Sequence, residues 1–280
     1  MPVPEPWKVV EVWPTGKMPG AGAKEAQKDL PARGDNVRRI TNISQPTLSI
    51  FPAVKPSEAS SAAPAIIICP GGGYNHLCYD KEGTEVATWL NSAGITSLVL
   101  LYRAPNNREG ALQDLQRALS LIRQHASEWK IDPQRVGVLG FSAGGHLAAK
   151  ASSGFETRTY SAIDAVDQQS CRPDFSVLVY PAYLAGKGKD GTVTADLNLK
   201  AKLPPTLILH NEDDPGFIAG SKSYHAALVE AKLRVECKIY PSGGHGYGMR
   251  CTKEAQAWPQ DLLAWLHTQQ IHASTKKEAK

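Results

Sequence analysis

RVGVLGFSAGGHLAAKASSG, residues 135–154, joins two kinds of local structure without a gap. The run from Arg135 to Phe141 reads as a buried β-strand, and the Ala-rich run over 142–153 as a helix. Ser142 stands at the junction, inside Gly140-Phe141-Ser142-Ala143-Gly144. A tight strand-to-helix turn pushes its side chain out at the carboxyl edge of a sheet. Its crowding demands small flanking residues, which Gly140 and Gly144 supply. The helix that follows turns free N–H groups toward developing negative charge. A serine hydroxyl is a weak nucleophile unless a base lies within hydrogen-bond reach. Ser142 therefore reads as a nucleophile that needs partners from elsewhere in the chain.

Outward from this corner, strand and helix patterns alternate. TLSIF (47–51), AIIIC (65–69), ITSLVLLYR (95–103), FSVLVYP (175–181), TLILH (206–210) and RVECKIY (234–240) read as strands, with a weak edge strand in VVEVW near the N-terminus. EGTEVATWLNSAG ends in a glycine as helices often do. In 111–129, Leu112, Leu115, Leu119, Ile122, Ala126 and Trp129 recur at steps of three and four, which makes one stripe down a helix. Further helices are expected around 218–232 and in EAQAWPQDLLAWLHTQ, the latter interrupted or kinked at Pro259. The pattern predicts an α/β fold with about eight strands, mostly parallel, and helices on both faces. Residues 1–46, rich in Pro, Gly and charge, read as an arm packed on the domain of 47–270, and 271–280 as a flexible tail. The segments 154–174 and 182–204 lack strong periodicity and are expected to form a rim or small lid.

The totals agree with one globular unit. The chain has 280 residues, 42% hydrophobic and 21% charged, with a net charge of +4. The basic residues are scattered, with no stripe of the kind that binds nucleic acid. No apolar run approaches the roughly 18 residues of a membrane span, and the N-terminus has no basic-then-apolar signal pattern. The five cysteines lack zinc-site spacing and read as unpaired thiols, with Cys237 and Cys251 the one pair open to bridging. Neither metal nor organic cofactor is implied.

Three partners for Ser142 are legible. His245, in the glycine-rich YPSGGHGYGMR just past the last strand, is the base; His125, His146, His225 and His267 fall on helices and His210 ends a strand, with His146 expected to be satisfied by a local hydrogen bond. An acid must hold the imidazole tautomer, and LILHNEDDPG offers three carboxylates, Glu212, Asp213 and Asp214, of which spacing does not separate Asp213 from Asp214. An oxyanion hole is expected in CPGGGYNH, where Gly72 and Gly73, together with Ala143, present backbone N–H groups. The order serine, acid, histidine is that of α/β-hydrolases rather than of chymotrypsin or subtilisin.

Together CPGGGY, KEG, GFSAGGHLA, RPDF…VYPAY, EDDP and YPSGGHGYGMR resemble bacterial α/β-hydrolase esterases, with acetylxylan-esterase-like carbohydrate esterases the nearest group. The resemblance runs from about Trp7 to about His267. It implies a Ser142–Asp214–His245 triad, because in that group the acid is the second of the paired aspartates. It also implies hydrolysis of short acyl esters, acetyl groups on xylan-type carbohydrate foremost, by proteins that are often exported. Pro70 stands where hormone-sensitive-lipase relatives carry histidine, and Pro215-Gly216-Phe217 replaces valines found in many relatives. Tyr74, His76, Tyr183 and Tyr247 flank the motifs and are expected to line the substrate side, small-molecule or oligosaccharide. Feruloyl or general aryl and alkyl esters are the alternative substrates. A peptidase and a non-catalytic binding protein are the lesser readings.

Overall fold

The computed structural model describes residues 5–54, 62–186 and 191–271. The main sheet has strands β1 (Lys8–Glu11), β2 (Thr47–Phe51), β3 (Ala63–Cys69), β4 (Thr96–Leu101), β5 (Ile131–Phe141), β6 (Ser176–Val179), β7 (Thr206–Asn211) and β8 (Val235–Tyr240). They lie in the order β1-β2-β4-β3-β5-β6-β7-β8. β2 runs antiparallel to both β1 and β4, and every other neighbouring pair is parallel. Each strand expected from the sequence is present.

Helices α1 (Glu85–Ser92), α2 (Arg108–Gln124), α3 (Ala143–Ser153), α4 (Ile218–Glu230) and α5 (Trp258–Thr268) cover the sheet. Alternate residues of the buried strands feed two cores. Ala65, Ile67 and Cys69 join the layer of α2, α3 and α4, while Ile66 and Ile68 join that of α1 and α5. This is the period-two signature of a strand covered on both faces.

α2 starts where Asn107 Oδ1 accepts the Gly110 N–H at 2.8 Å. It ends at Gln124, earlier than its apolar stripe, although Ala126 and Trp129 remain buried. Its other side is covered too: Gln113, Asp114, Gln116, Arg117 and Ser120 are all buried. The cover comes from the N-terminal arm and from 154–174. Thr159 bonds Gln116, Asp164 pairs with Arg117 at 2.6 Å, and the Ser170 carbonyl accepts from Arg123. The segment 154–174 therefore does not rim the serine. α3 carries the chain from the carboxyl edge to the amino edge before 154–174 begins, and β6 starts from that same amino edge.

Two boundary expectations are corrected, at Pro259 and at Ile271, and the cysteines are unpaired as expected. Pro259 lies in the first turn of α5, where its missing N–H costs no intrahelical bond, so it starts the helix rather than kinking it. Cys237 and Cys251 are free thiols, as are Cys69, Cys78 and Cys171. Ile271, placed in the tail, is buried, and its carbonyl accepts from Arg135 at 3.2 Å; residues 272–280 lie outside those described. A small second sheet joins Lys28–Asp29, Arg39–Thr41 and Leu77–Cys78. It links the arm to the segment just after the glycine-rich loop, where Thr41 Oγ1 also donates to the Asn75 carbonyl at 2.7 Å.

Candidate active site

Between β5 and α3, Ser142 has φ 51° and ψ −116°, a strained conformation for a residue with a side chain. The glycines around it are sterically required. A Cβ at Gly140 would sit 2.0 Å from the Gly144 carbonyl oxygen, and one at Gly144 would sit 2.0 Å from the Cys69 carbonyl oxygen. The Ser142 N–H donates to Val179 O, and its own carbonyl accepts from His146 and Ala182, so β6 and α3 grip the turn from both sides.

The Ser142 hydroxyl donates to His245 Nε2 at 2.8 Å, and His245 Nδ1–H donates to Asp214 Oδ2 at 2.6 Å. A carboxylate acceptor at Nδ1 leaves Nε2 free to receive the serine proton. Asp214 is buried at 5% exposure, whereas the His245 side chain is 31% exposed. The acid is thus fixed inside the protein, with the ring at the rim. Of the two candidate aspartates, Asp214 touches the imidazole. Asp213 instead holds the histidine loop: its Oδ1 accepts the N–H groups of Gly243 (2.8 Å) and Gly244 (2.7 Å) and the Asn211 amide (3.0 Å). The Gly244 N–H bond, with Lys253 and the other donors, lowers the Asp213 carboxyl to about 2.

The glycine-rich loop abuts the turn, since a Cβ at Gly71 would lie 2.9 Å from Ser142 Cβ. Gly72 and Gly73 have φ +138° and +66°, and a Cβ at Gly72 would lie 1.9 Å from the His76 carbonyl oxygen. Among the described residues, the N–H groups of Gly72, Gly73 and Ala143 donate to no acceptor, while that of Gly71 is taken by Glu82 Oε2 at 2.8 Å. Glu82 stands in the KEG motif but was given no role in the sequence. It is buried at 2% exposure, and burial raises its carboxyl above the usual range. Its Oε1 accepts from the Tyr180 hydroxyl at 2.9 Å, and that hydroxyl accepts the Gly248 N–H at 2.8 Å. Glu82 and Tyr180 thereby tie the glycine loop to the histidine loop.

The four expected lining residues divide. Tyr183 and His76 are partly exposed. Tyr74 and Tyr247 are packed, at 2% and 8% exposure, and are not open to a substrate. Tyr74 turns inward because its hydroxyl meets His146 Nδ1 at 2.8 Å. That contact also corrects the expectation of a local partner for His146, which is reached across 72 positions. Tyr247 packs edge-on against Tyr180, with ring centroids 4.4 Å apart. The aromatic face beside the imidazole comes instead from Phe217, 4.8 Å from the His245 ring, and from Tyr183, 5.8 Å further on. Arg108 lies over Tyr183 at 4.5 Å. Phe217 belongs to the Pro-Gly-Phe turn, whose N–H groups at Phe217 and Ile218 donate to the Asp214 carbonyl.

A serine at the turn after β5, an aspartate after β7 and a histidine after β8, hydrogen-bonded in series on this strand order, give the chain the architecture of an α/β-hydrolase. Within that class it is similar to acetylxylan esterases and related ester hydrolases. The BD-FAE family matches residues 53–179. An acetylxylan esterase of Xylanibacter ruminicola is 32% identical over 72% of this chain and 45% of its own length. Endo-1,4-beta-xylanase B of Butyrivibrio fibrisolvens is 28% identical over 65% of this chain and 32% of its own. The chain therefore spans less than half of either curated relative. The crystal structure of an acetyl ester-xyloside bifunctional hydrolase from Caldicellulosiruptor lactoaceticus superposes with a TM-score of 0.76 at 29% identity, over 97% of this chain and 99% of that one. No helix among the described residues is long and apolar enough to cross a membrane.

Proposed function

We propose that the protein is a serine carboxylesterase that removes short acyl groups, acetyl foremost, from xylan-type carbohydrate. The observation that carries this reading is the unbroken chain Ser142–His245–Asp214, at 2.8 and 2.6 Å, beside three unclaimed backbone amides. Its similarity to an acetylxylan esterase supports the substrate class.

In the first step His245 Nε2 takes the Ser142 proton as Oγ attacks the ester carbonyl. The oxyanion is held by the N–H groups of Gly72, Gly73 and Ala143, each such donor contributing about 2.7–4 kcal/mol of transition-state stabilisation. The tetrahedral intermediate collapses, His245 gives its proton to the departing sugar hydroxyl, and an acyl-serine remains. Water, deprotonated by His245, repeats the sequence and releases the carboxylic acid. Asp214 stays ionised and stabilises the imidazolium throughout. Residues 1–46 serve as an arm of this catalytic domain.

The test is Ser142→Ala, which should lower kcat on an aryl acetate by at least about 10³-fold, together with a phosphonate probe that labels only the serine form. Near-normal turnover by the variant would remove the reading. Acetylated xylo-oligosaccharides compared with feruloylated sugars and aryl esters by kcat/KM then separate the substrate classes, and acetyl esters should be cleaved far better than octanoyl esters.

A further inference from the structure

The carboxylate that faces His245 has a second histidine on the same oxygen. His210, at the end of β7 and without solvent exposure, lies with Nε2 2.9 Å from Asp214 Oδ2. Its other nitrogen, Nδ1, is 2.7 Å from the hydroxyl of Ser221, which is also fully buried and sits on α4. Neutral imidazole has one donor and one acceptor. With a carboxylate at Nε2, that nitrogen must carry the proton, so Nδ1 accepts from the Ser221 hydroxyl. Every polar atom in the chain then has one consistent role.

We propose that His210 is a positioning residue for the acid, with Ser221 setting its tautomer, so that Ser221, His210, Asp214, His245 and Ser142 form one hydrogen-bonded relay. The proposal rests on the esterase reading in one respect, that Asp214 serves His245. The second N–H bond does two things. It fixes the rotation of the carboxyl group, so that Oδ2 stays aimed at His245. It also draws electron density from the carboxylate and weakens its hold on the His245 imidazolium.

Burial is the main influence on His210 and lowers its pKa, which favours the neutral ring that the relay requires. The other groups that face this pair are few. Glu212 next door is paired with Lys222 on α4 at 2.8 Å. Asp213 turns to the histidine loop and to Lys253, Tyr247 packs nearby, and Glu82 approaches His245 from the glycine-loop side. None of these bonds the Asp214 carboxyl, so His210 is its second donor among the described residues.

The experiment is the pH profile of kcat and KM on an aryl acetate for His210→Phe, His210→Gln, His210→Asn and Ser221→Ala. Gln can place an N–H where Nε2 stood, and Asn can only replace Nδ1. His210→Phe should lower kcat about 10- to 100-fold with little change in KM, the scale expected when a catalytic group is misplaced. Its acidic limb should move to higher pH, because a carboxylate with one donor fewer holds the imidazolium more strongly. His210→Gln should recover kcat to within about threefold, and His210→Asn should resemble His210→Phe. Ser221→Ala should show a smaller loss with the same direction of shift.

A folded His210→Phe enzyme with unchanged kcat and acidic limb would overturn the proposal. Equal impairment in the Gln and Asn variants with an unmoved limb would also overturn it, since a packing role predicts that result. If the Phe variant does not fold, the Gln–Asn difference decides. Full activity in Ser142→Ala or Asp214→Asn would instead sink the esterase reading, so the two failures are distinguishable.

Discussion

Beneath the N-terminal arm, Arg103 and Asp114 form a buried ion pair at 2.9 Å; at the carboxyl edge of the same sheet, His245 and Asp214 form another contact between opposite ionisable types at 2.6 Å. The first is closed on all sides. Asp114 also accepts from Trp13 Nε1 at 2.7 Å and from the Arg103 N–H at 2.8 Å. The guanidinium donates further to Gln113, to Gly110 O and to Pro19 O in the arm. The second is closed only on the acid side. Asp214 is buried between two histidines, while the far nitrogen of His245 meets a hydroxyl at a half-exposed turn. A saturated cluster locks chain segments together. In the proposed esterase, a relay saturated at one end and open at the other would keep a proton acceptor aimed at the place where substrate arrives.

Opposite kinds of damage would sharpen this contrast. Asp214→Asn should cost the most activity, about 10³- to 10⁴-fold in kcat, because an amide favours the wrong His245 tautomer. Its melting temperature should change little beside that loss. Arg103→Ala should do the reverse. Leaving Asp114 buried without its cation should cost about 3–5 kcal/mol of stability by denaturant titration, with kcat/KM unchanged while the protein stays folded. If Arg103→Ala lost activity in proportion to Asp214→Asn, the two regions would not be separate in function.

Asp213 gives a smaller, pH-dependent effect. Its carboxyl is held near 2, below its ordinary 3.8, so its contribution is present above about pH 3.8 and is lost as pH falls through about 2. Protection of the Gly243 and Gly244 amides, relative to their intrinsic exchange rates, should hold at pH 4 and fall only toward pH 2. In Asp213→Asn the same amides should already exchange faster at pH 6.

How much was legible differs by element. Ser142 and the paired aspartates could be read because their chemistry is tied to short local patterns, a glycine-flanked turn and a strand end. The resemblance chose Asp214, and the geometry gives the reason that Asp213 has other work, on two amides 30 and 31 positions away. Glu82 and Tyr180 stand in the KEG and VYPAY motifs, but their contact was not legible: they meet across 98 positions, and nothing local marks a glutamate as bound for burial. His210 read as an ordinary strand end, because its partners on Asp214 and α4 depend on how that loop folds back. The two- and three-residue strands of the small sheet are too short for a period to register.

The sequence alone determined the eight strands and the identities of serine, histidine and paired acids, because burial periodicity and turn chemistry are written within a few residues. Only the tertiary structure showed why Asp214 rather than Asp213 faces the imidazole, and decided which aromatics stay open beside it and which polar side chains stand behind the acid. Those outcomes depend on contacts between segments tens of residues apart, and no local pattern encodes the distance between them.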